Sequence, residues 1–193
     1  MDGRAGMPTL PSHRAFGIGW RPRQISRGRL SSMTAISFPS EAFFRELQRL
    51  MGEHRDRFRA LGYFDVTFGV HVTSDRPGEP EGRFLLGFDV FDCVRAESVS
   101  GFGADVDFVL EGRLAVWREM LENIARRGAG DVEHSINTLT HFGDALRVRY
   151  DDPDGHDKLY RFAESIQEFF NLAGQVQVAF AGRERPVRAS TGV

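Results

Sequence analysis

The sequence predicts an α+β domain: a five-stranded, mostly antiparallel sheet covered by helices on one face, around a hydrophobic interior. Three observations predict it. Apolar residues recur with period two in some short runs and with helical period in others. Strand-type runs come grouped before most of the helical ones, the order that segregates helices from a sheet. A hydrophobic content of 41%, with 17 Phe among 193 residues, is ample for a buried core.

Residues 1–32 mix Gly, Pro, Ser and Arg without periodicity, which predicts a segment lacking fixed structure. Three other readings stand beside that one: an Arg-rich transit segment, a basic arm for an anionic partner, and a start placed upstream of Met33. The domain is read over 33–182, with 183–193 a polar tail. Ser40 suits a helix N-cap, and Phe43, Leu47, Leu50, Met51, Phe58 and Leu61 then follow at helical spacing until Gly62. Phe64, Val66, Phe68, Val70 and Val72 alternate with smaller or polar residues as a strand. Ser74–Gly82 is a turn-rich loop of hairpin type. Phe84, Leu86, Phe88 and Val90 form a second strand, with Leu85 and Phe91 on its other face.

After Gly101–Gly103, Val106, Phe108 and Leu110 alternate with Asp105 and Asp107 as a third strand. Leu114, Trp117, Leu121 and Ile124 make a helical stripe that Gly128–Gly130 closes. Asp131 is a cap for a short helix through Val132, Ile136 and Leu139, and 145–150 form a fourth strand. Asp151–Gly155 is a turn in which Asp154 or Asp157 can cap the next helix. Leu159, Phe162, Ile166, Phe169 and Phe170 line that helix, and Val176, Val178 and Phe180 a fifth strand.

Charge and composition narrow the function. Residues 1–32 carry +5 and the remainder −7, giving the net −2; an acidic domain lacks the basic face that nucleic acid requires. Cys93 is the only cysteine, so no intrachain disulfide or cysteine-based zinc site is possible. A lone Cys in a Phe-rich strand reads as a small buried hydrophobe. No apolar run approaches the about 18 residues of a membrane span, and no secretory signal is evident. A reducing cytoplasm is expected. Lys158 is the sole lysine among 25 basic residues, a codon-usage signature that suggests a bacterial source.

No catalytic motif emerges. Gly17–Gly19 has no preceding strand and is no dinucleotide loop; G-x-S-x-G is absent. His134 and His141 are seven apart but lack a third metal ligand at suitable spacing. Asp151, Asp152, Asp154 and Asp157 do not match a calcium loop. Asp105 and Asp107 share a strand face, where paired carboxylates facing a cavity would divide acid and base roles and facing solvent would do nothing. No cofactor is expected.

The segment from Asp105 to Leu121, reading D-V-D-F-V-L-E-G-R-L-A-V-W-R-E-M-L, is a strand running into a helix. The short helix at Val132–Leu139 follows, then F-G-D-A-L-R-V at 142–148 and a helix over His156–Gly174. This succession resembles the sterol-carrier-protein-2 (SCP2) family across 62–182. The Asp151–Asp157 insert departs from that pattern, and the first helix and strand have no close match to it. The resemblance implies a sheet and helices enclosing an apolar tunnel for fatty acyl chains, sterols or similar lipids, with binding rather than catalysis. Chosen by face, the expected ligand wall is Phe84, Leu86, Phe88, Phe108, Trp117, Leu121, Phe162, Ile166 and Phe169. Two alternatives remain open: a cyclase- or isomerase-type enzyme in the same cavity using Asp105, Asp107, His134 or His141, and a solid-cored homodimeric interaction module.

Overall fold

The computed structural model describes residues 35–141 and 145–180. The expectations placed on 1–32, on the 183–193 tail and on Phe142, Gly143 and Asp144 lie outside the described residues. Strand β1 (Ile36–Phe38) leads into helix α1 (Glu41–Glu53). Ser40 caps that helix as expected, its hydroxyl accepting from the Phe43 backbone N–H at 3.2 Å. This satisfies one of the amides that a helix start leaves unpaired. Phe43, Phe44, Leu47, Leu50 and Met51 form its buried stripe. The expected single helix to Leu61 is interrupted at His54 (φ −107°, ψ 25°), and α2 (Arg55–Leu61) continues after it. Gly62, at φ 102°, ends α2 in a conformation that side chains avoid.

Strands β2 (Val66–Thr73) and β3 (Gly82–Asp89) form the expected antiparallel hairpin. The next strand, β4 (Asp92–Ser98), is absent from the sequence expectation. Only Cys93 and Ala96 of its seven residues are buried, because a register shift at Gly87/Phe88 breaks the alternation. β5 (Phe108–Arg113) pairs in parallel with β2, and β6 (Leu146–Arg149) pairs antiparallel with β5. The sheet order is β4-β3-β2-β5-β6, mostly antiparallel as predicted. Its membership differs from the expectation in one strand. β7 (Val178–Phe180) leaves the sheet and pairs in parallel with β1 as a separate two-stranded ribbon.

Helix α3 (Leu114–Arg127) follows β5 directly and stops at Gly128, which is left-handed at φ 84°. The short helix α4 spans Ile136–His141; Val132, expected in it, is 82% exposed. Asp131 instead holds the turn before α4, accepting from the His134 amide at 3.0 Å. The expected long helix over 156–174 is three pieces: α5 (Pro153–Arg161), α6 (Ala163–Asn171) and a 3₁₀ turn at Leu172–Gln175. Asp152, rather than Asp154 or Asp157, caps α5, accepting from the Gly155 amide at 3.1 Å. Pro153 then fills the first helical position, where a missing N–H costs nothing.

The register assigns the sheet two faces. Val66, Phe68 and Val70 lie opposite Phe88, Leu86 and Phe84, and Phe68 and Val70 opposite Phe108 and Leu110. These residues join α1, α3 and α6 in one buried core, so the helices gather on this inner face. α1 is fastened over β4 by Gln48, whose side chain donates to the Cys93 carbonyl at 2.7 Å. The outer face carries Thr67, Gly69 and His71 on β2, Leu85 on β3, and Val109 and Glu111 on β5.

Candidate ligand-binding site

The nine residues selected as a ligand wall come together. Phe84, Leu86, Phe88, Phe108, Trp117, Leu121, Ile166 and Phe169 are all buried, and Phe162 packs against them at the edge. Their rings meet one another. Phe68 stacks between Phe88 and Phe108 with centroids at 5.6 and 5.2 Å, and Phe169 stands edge-on to Phe88 at 5.0 Å. Such offset and edge-to-face pairs are the preferred aromatic geometries. Trp117 leans on Phe170 at 5.6 Å. Its indole N–H is buried and finds no acceptor among the described residues, an unusual state for a buried donor.

A surface cleft of about 610 Å³ reaches this core. Leu61 closes α2, Tyr63 and Asp65 follow in the link to β2, and Lys158, Tyr160 and Arg161 come from the end of α5. Phe162, at the break between α5 and α6, forms part of its wall. Behind Phe162 the aromatic contacts run inward, to Phe64 at 5.4 Å and from Phe64 to Phe88 at 4.5 Å. The rim is mixed: Tyr63 is 60% exposed, Leu61 40% and Tyr160 38%, and these apolar groups stand among the charged Asp65, Lys158, Arg161 and Glu164. Leu61, expected in the buried stripe, turns outward because the break at His54 changes the phase of α2. A second groove of about 610 Å³, lined by Arg57, Ala60, Leu61, Glu164, Gln167 and Glu168, shares Leu61 and Glu164 with the cleft. Clustered exposed apolar groups of this kind mark interaction or ligand sites. Sequence reasoning missed Tyr63 and Tyr160 as rim residues. The available signal was that both are aromatic residues off every buried stripe.

The alternative chemical candidates are held in structural contacts. Asp107 accepts from the Thr67 amide at 2.8 Å and pairs with Lys158 at 2.7 Å, while Asp105 is an exposed partner of Arg95. The two carboxylates thus serve different neighbours. His134 binds Asp131 through Nδ1 at 2.6 Å, whereas His141 approaches the Tyr160 hydroxyl at 3.3 Å. Among the described residues no three His, Cys, Asp or Glu side chains gather as a metal site. Cys93 is buried, its thiol pushed up to about 12 by loss of hydration, and it donates to the Arg95 carbonyl. No helix among the described residues is long and apolar enough to cross a membrane.

No family model matches the chain, and no curated protein does. Solved structures do. A conserved hypothetical protein from Thermus thermophilus, a possible sterol carrier protein, superposes with a TM-score of 0.58 at 22% identity, over 76% of this chain and 96% of its own. A crystal structure of sterol carrier protein 2 superposes with a TM-score of 0.55 at 24% identity, over 71% of this chain and 97% of its own. The fold is SCP2-like. In this SCP2-like chain β5, α3 and β6, which carry the sequence resemblance, are built as that resemblance implies, and α1 and β2 complete the same core.

Proposed function

We propose that this SCP2-like protein binds, and transfers, a small apolar ligand such as a fatty acyl chain or a sterol. The ligand enters at the Phe162 cleft and lodges against Phe84, Leu86, Phe88, Phe108, Trp117, Leu121, Phe162, Ile166 and Phe169. The observation that carries this reading is the continuous aromatic path from the exposed Tyr63, Leu61 and Tyr160 at the cleft mouth, through Phe162 and Phe64, to Phe88. Because these rings touch one another, binding requires Phe162 and its neighbours to part. Transfer of about sixteen methylenes out of water contributes about 13 kcal/mol, against which the cost of parting the rings and immobilising the ligand is set. The remainder corresponds to micromolar affinity or weaker. Binding is favoured over acid–base catalysis because Asp105, Asp107, His134 and His141 serve separate surface contacts. With Cys93 as its only cysteine, the protein suits a reducing cytoplasm.

The test uses Trp117 as reporter. The chain has two tryptophans, so a Trp20→Phe variant leaves Trp117 alone. Long-chain fatty acids and sterols are expected to shift its emission saturably at micromolar concentration, and Phe162→Ala to change the rate of that shift. Native mass spectrometry is expected to show a co-purified lipid. An unresponsive Trp117 across both ligand classes, with an empty protein by mass, would overturn the proposal; an empty dimer would favour an interaction module.

A further inference from the structure

The outer face of the sheet holds a further concavity, of about 400 Å³, which shares only Phe108 with the proposed lipid wall. Its construction follows from topology. β4 is an edge strand and β5 lies on the far side of β3 and β2, so the chain between Ser98 and Phe108 must cross those two strands. It does so over the outer face. Phe102 lies directly on Gly69, where an added Cβ would run into the ring, so any larger residue would displace Phe102. Between the crossing loop and the opposite edge strand β6 a trough remains. Phe102, Gly103 and Val106 form one wall, Phe108 and Val109 contribute to the lining, and Arg147, Val148, Arg149 and Tyr150 form the other wall.

The two arginines differ. Both belong to the outer face, since Arg149 lies opposite Val109 and Arg147 opposite Glu111. Glu111 is engaged twice, by His71 Nδ1 at 2.8 Å and by Arg149 at 3.0 Å. Arg149 is therefore oriented along the strand. Arg147 is exposed and makes no ion pair among the described residues. A guanidinium without a carboxylate, beside one that is fixed in place, offers the donor pattern that receives a carboxylate. The opposite wall is aromatic and aliphatic. Asp151 at the end of the trough sets a limit, disfavouring ligands with a second negative charge at that end.

We propose that this trough is a binding site for a monoanionic aromatic carboxylate, with Arg147 and Arg149 on the carboxylate and Phe102, Val106 and Val109 on the ring. Arg147 is the specificity-determining residue, and Gly69 is required because it seats Phe102.

The test is amide chemical-shift mapping on the full-length protein with 2-naphthoate, its neutral counterpart 2-naphthamide, and inorganic phosphate. Perturbations are expected at Gly103, Val109, Arg147 and Arg149, with naphthoate at least tenfold tighter than either of the other two. Arg147→Ala should weaken naphthoate at least tenfold while leaving Tm unchanged, and Arg147→Lys should restore part of the loss. Equal binding of the amide, equal binding of phosphate, perturbations confined to the Phe162 cleft, or an Arg147→Ala variant with unchanged affinity would each overturn the site. Lipid binding is read separately, by Trp117 emission, so failure of the trough and failure of the lipid reading are distinguishable.

Discussion

At His134 two ring contacts, Asp131 at 2.6 Å and Glu119 at 3.4 Å, act on one imidazole. The hydrogen bond to Asp131 raises its pKa above the ordinary 6.5, against partial burial. The same bond, with that from Asn123, lowers Asp131 to about 2. The signs follow by linkage. The raised histidine contributes stability that is complete below 6.5 and fades as pH rises through its shifted value. The lowered carboxylate contributes stability that is complete above 3.8 and fades as pH falls toward about 2. Their joint contribution is thus largest between 3.8 and 6.5. NMR titration should give His134 a midpoint above 6.5, and in Asp131→Asn it should fall to the ordinary range. An unchanged midpoint would mean that the pair does not form. Asp131 was legible in the sequence as a cap, but the histidine it fixes was not. Spacing alone suggests His134 and His141 on one face, and only the position of α4 shows that they serve different partners.

Elements were legible where local chemistry and burial agree. Ser40 followed by an amphipathic stripe announces α1, and the Ser40 hydroxyl, besides accepting from Phe43, donates to the Ser37 carbonyl at 2.6 Å. Ser40→Ala should therefore cost about 1 kcal/mol in urea unfolding, with the slope unchanged; a loss near zero would show the cap to be replaced by water. β1 and β4 were illegible for different reasons. Three residues, Ile36–Phe38, are too few to display a period, and β4 loses its alternation to the irregularity opposite Gly87. The candidate cleft depends on an equally silent feature. Neither Gly nor Pro marks the break at Phe162, whose ring instead packs edge-on against Phe64 at 5.4 Å. The nine wall residues could be named from face alone, whereas the rim of Tyr63 and Tyr160 exists only once α2 and α5 are placed.

At the scale of the molecule, the inner face of the sheet is committed to helices and the outer face is crossed by one loop between β4 and β5. The β1–β7 ribbon adds something to this plan. Ile36 pairs with Val178 and Phe38 with Phe180, so the first and last described strands hold each other across nearly the whole domain. β2 holds β3 and β5 in the same manner, across the exposed turn at 75–78. A chain cut in that turn would consequently stay clasped: one fragment keeps β1, α1, α2 and β2, the other keeps everything they grip. With a protease site inserted between Arg76 and Glu79, the nicked protein should elute as one species and separate only in denaturant, and separately expressed halves should reassemble on mixing. Fragments that part under native conditions would show the clasp to be too weak. Where it holds, the SCP2-like domain becomes a two-piece reporter whose assembly is read by the return of Trp117 to its buried setting.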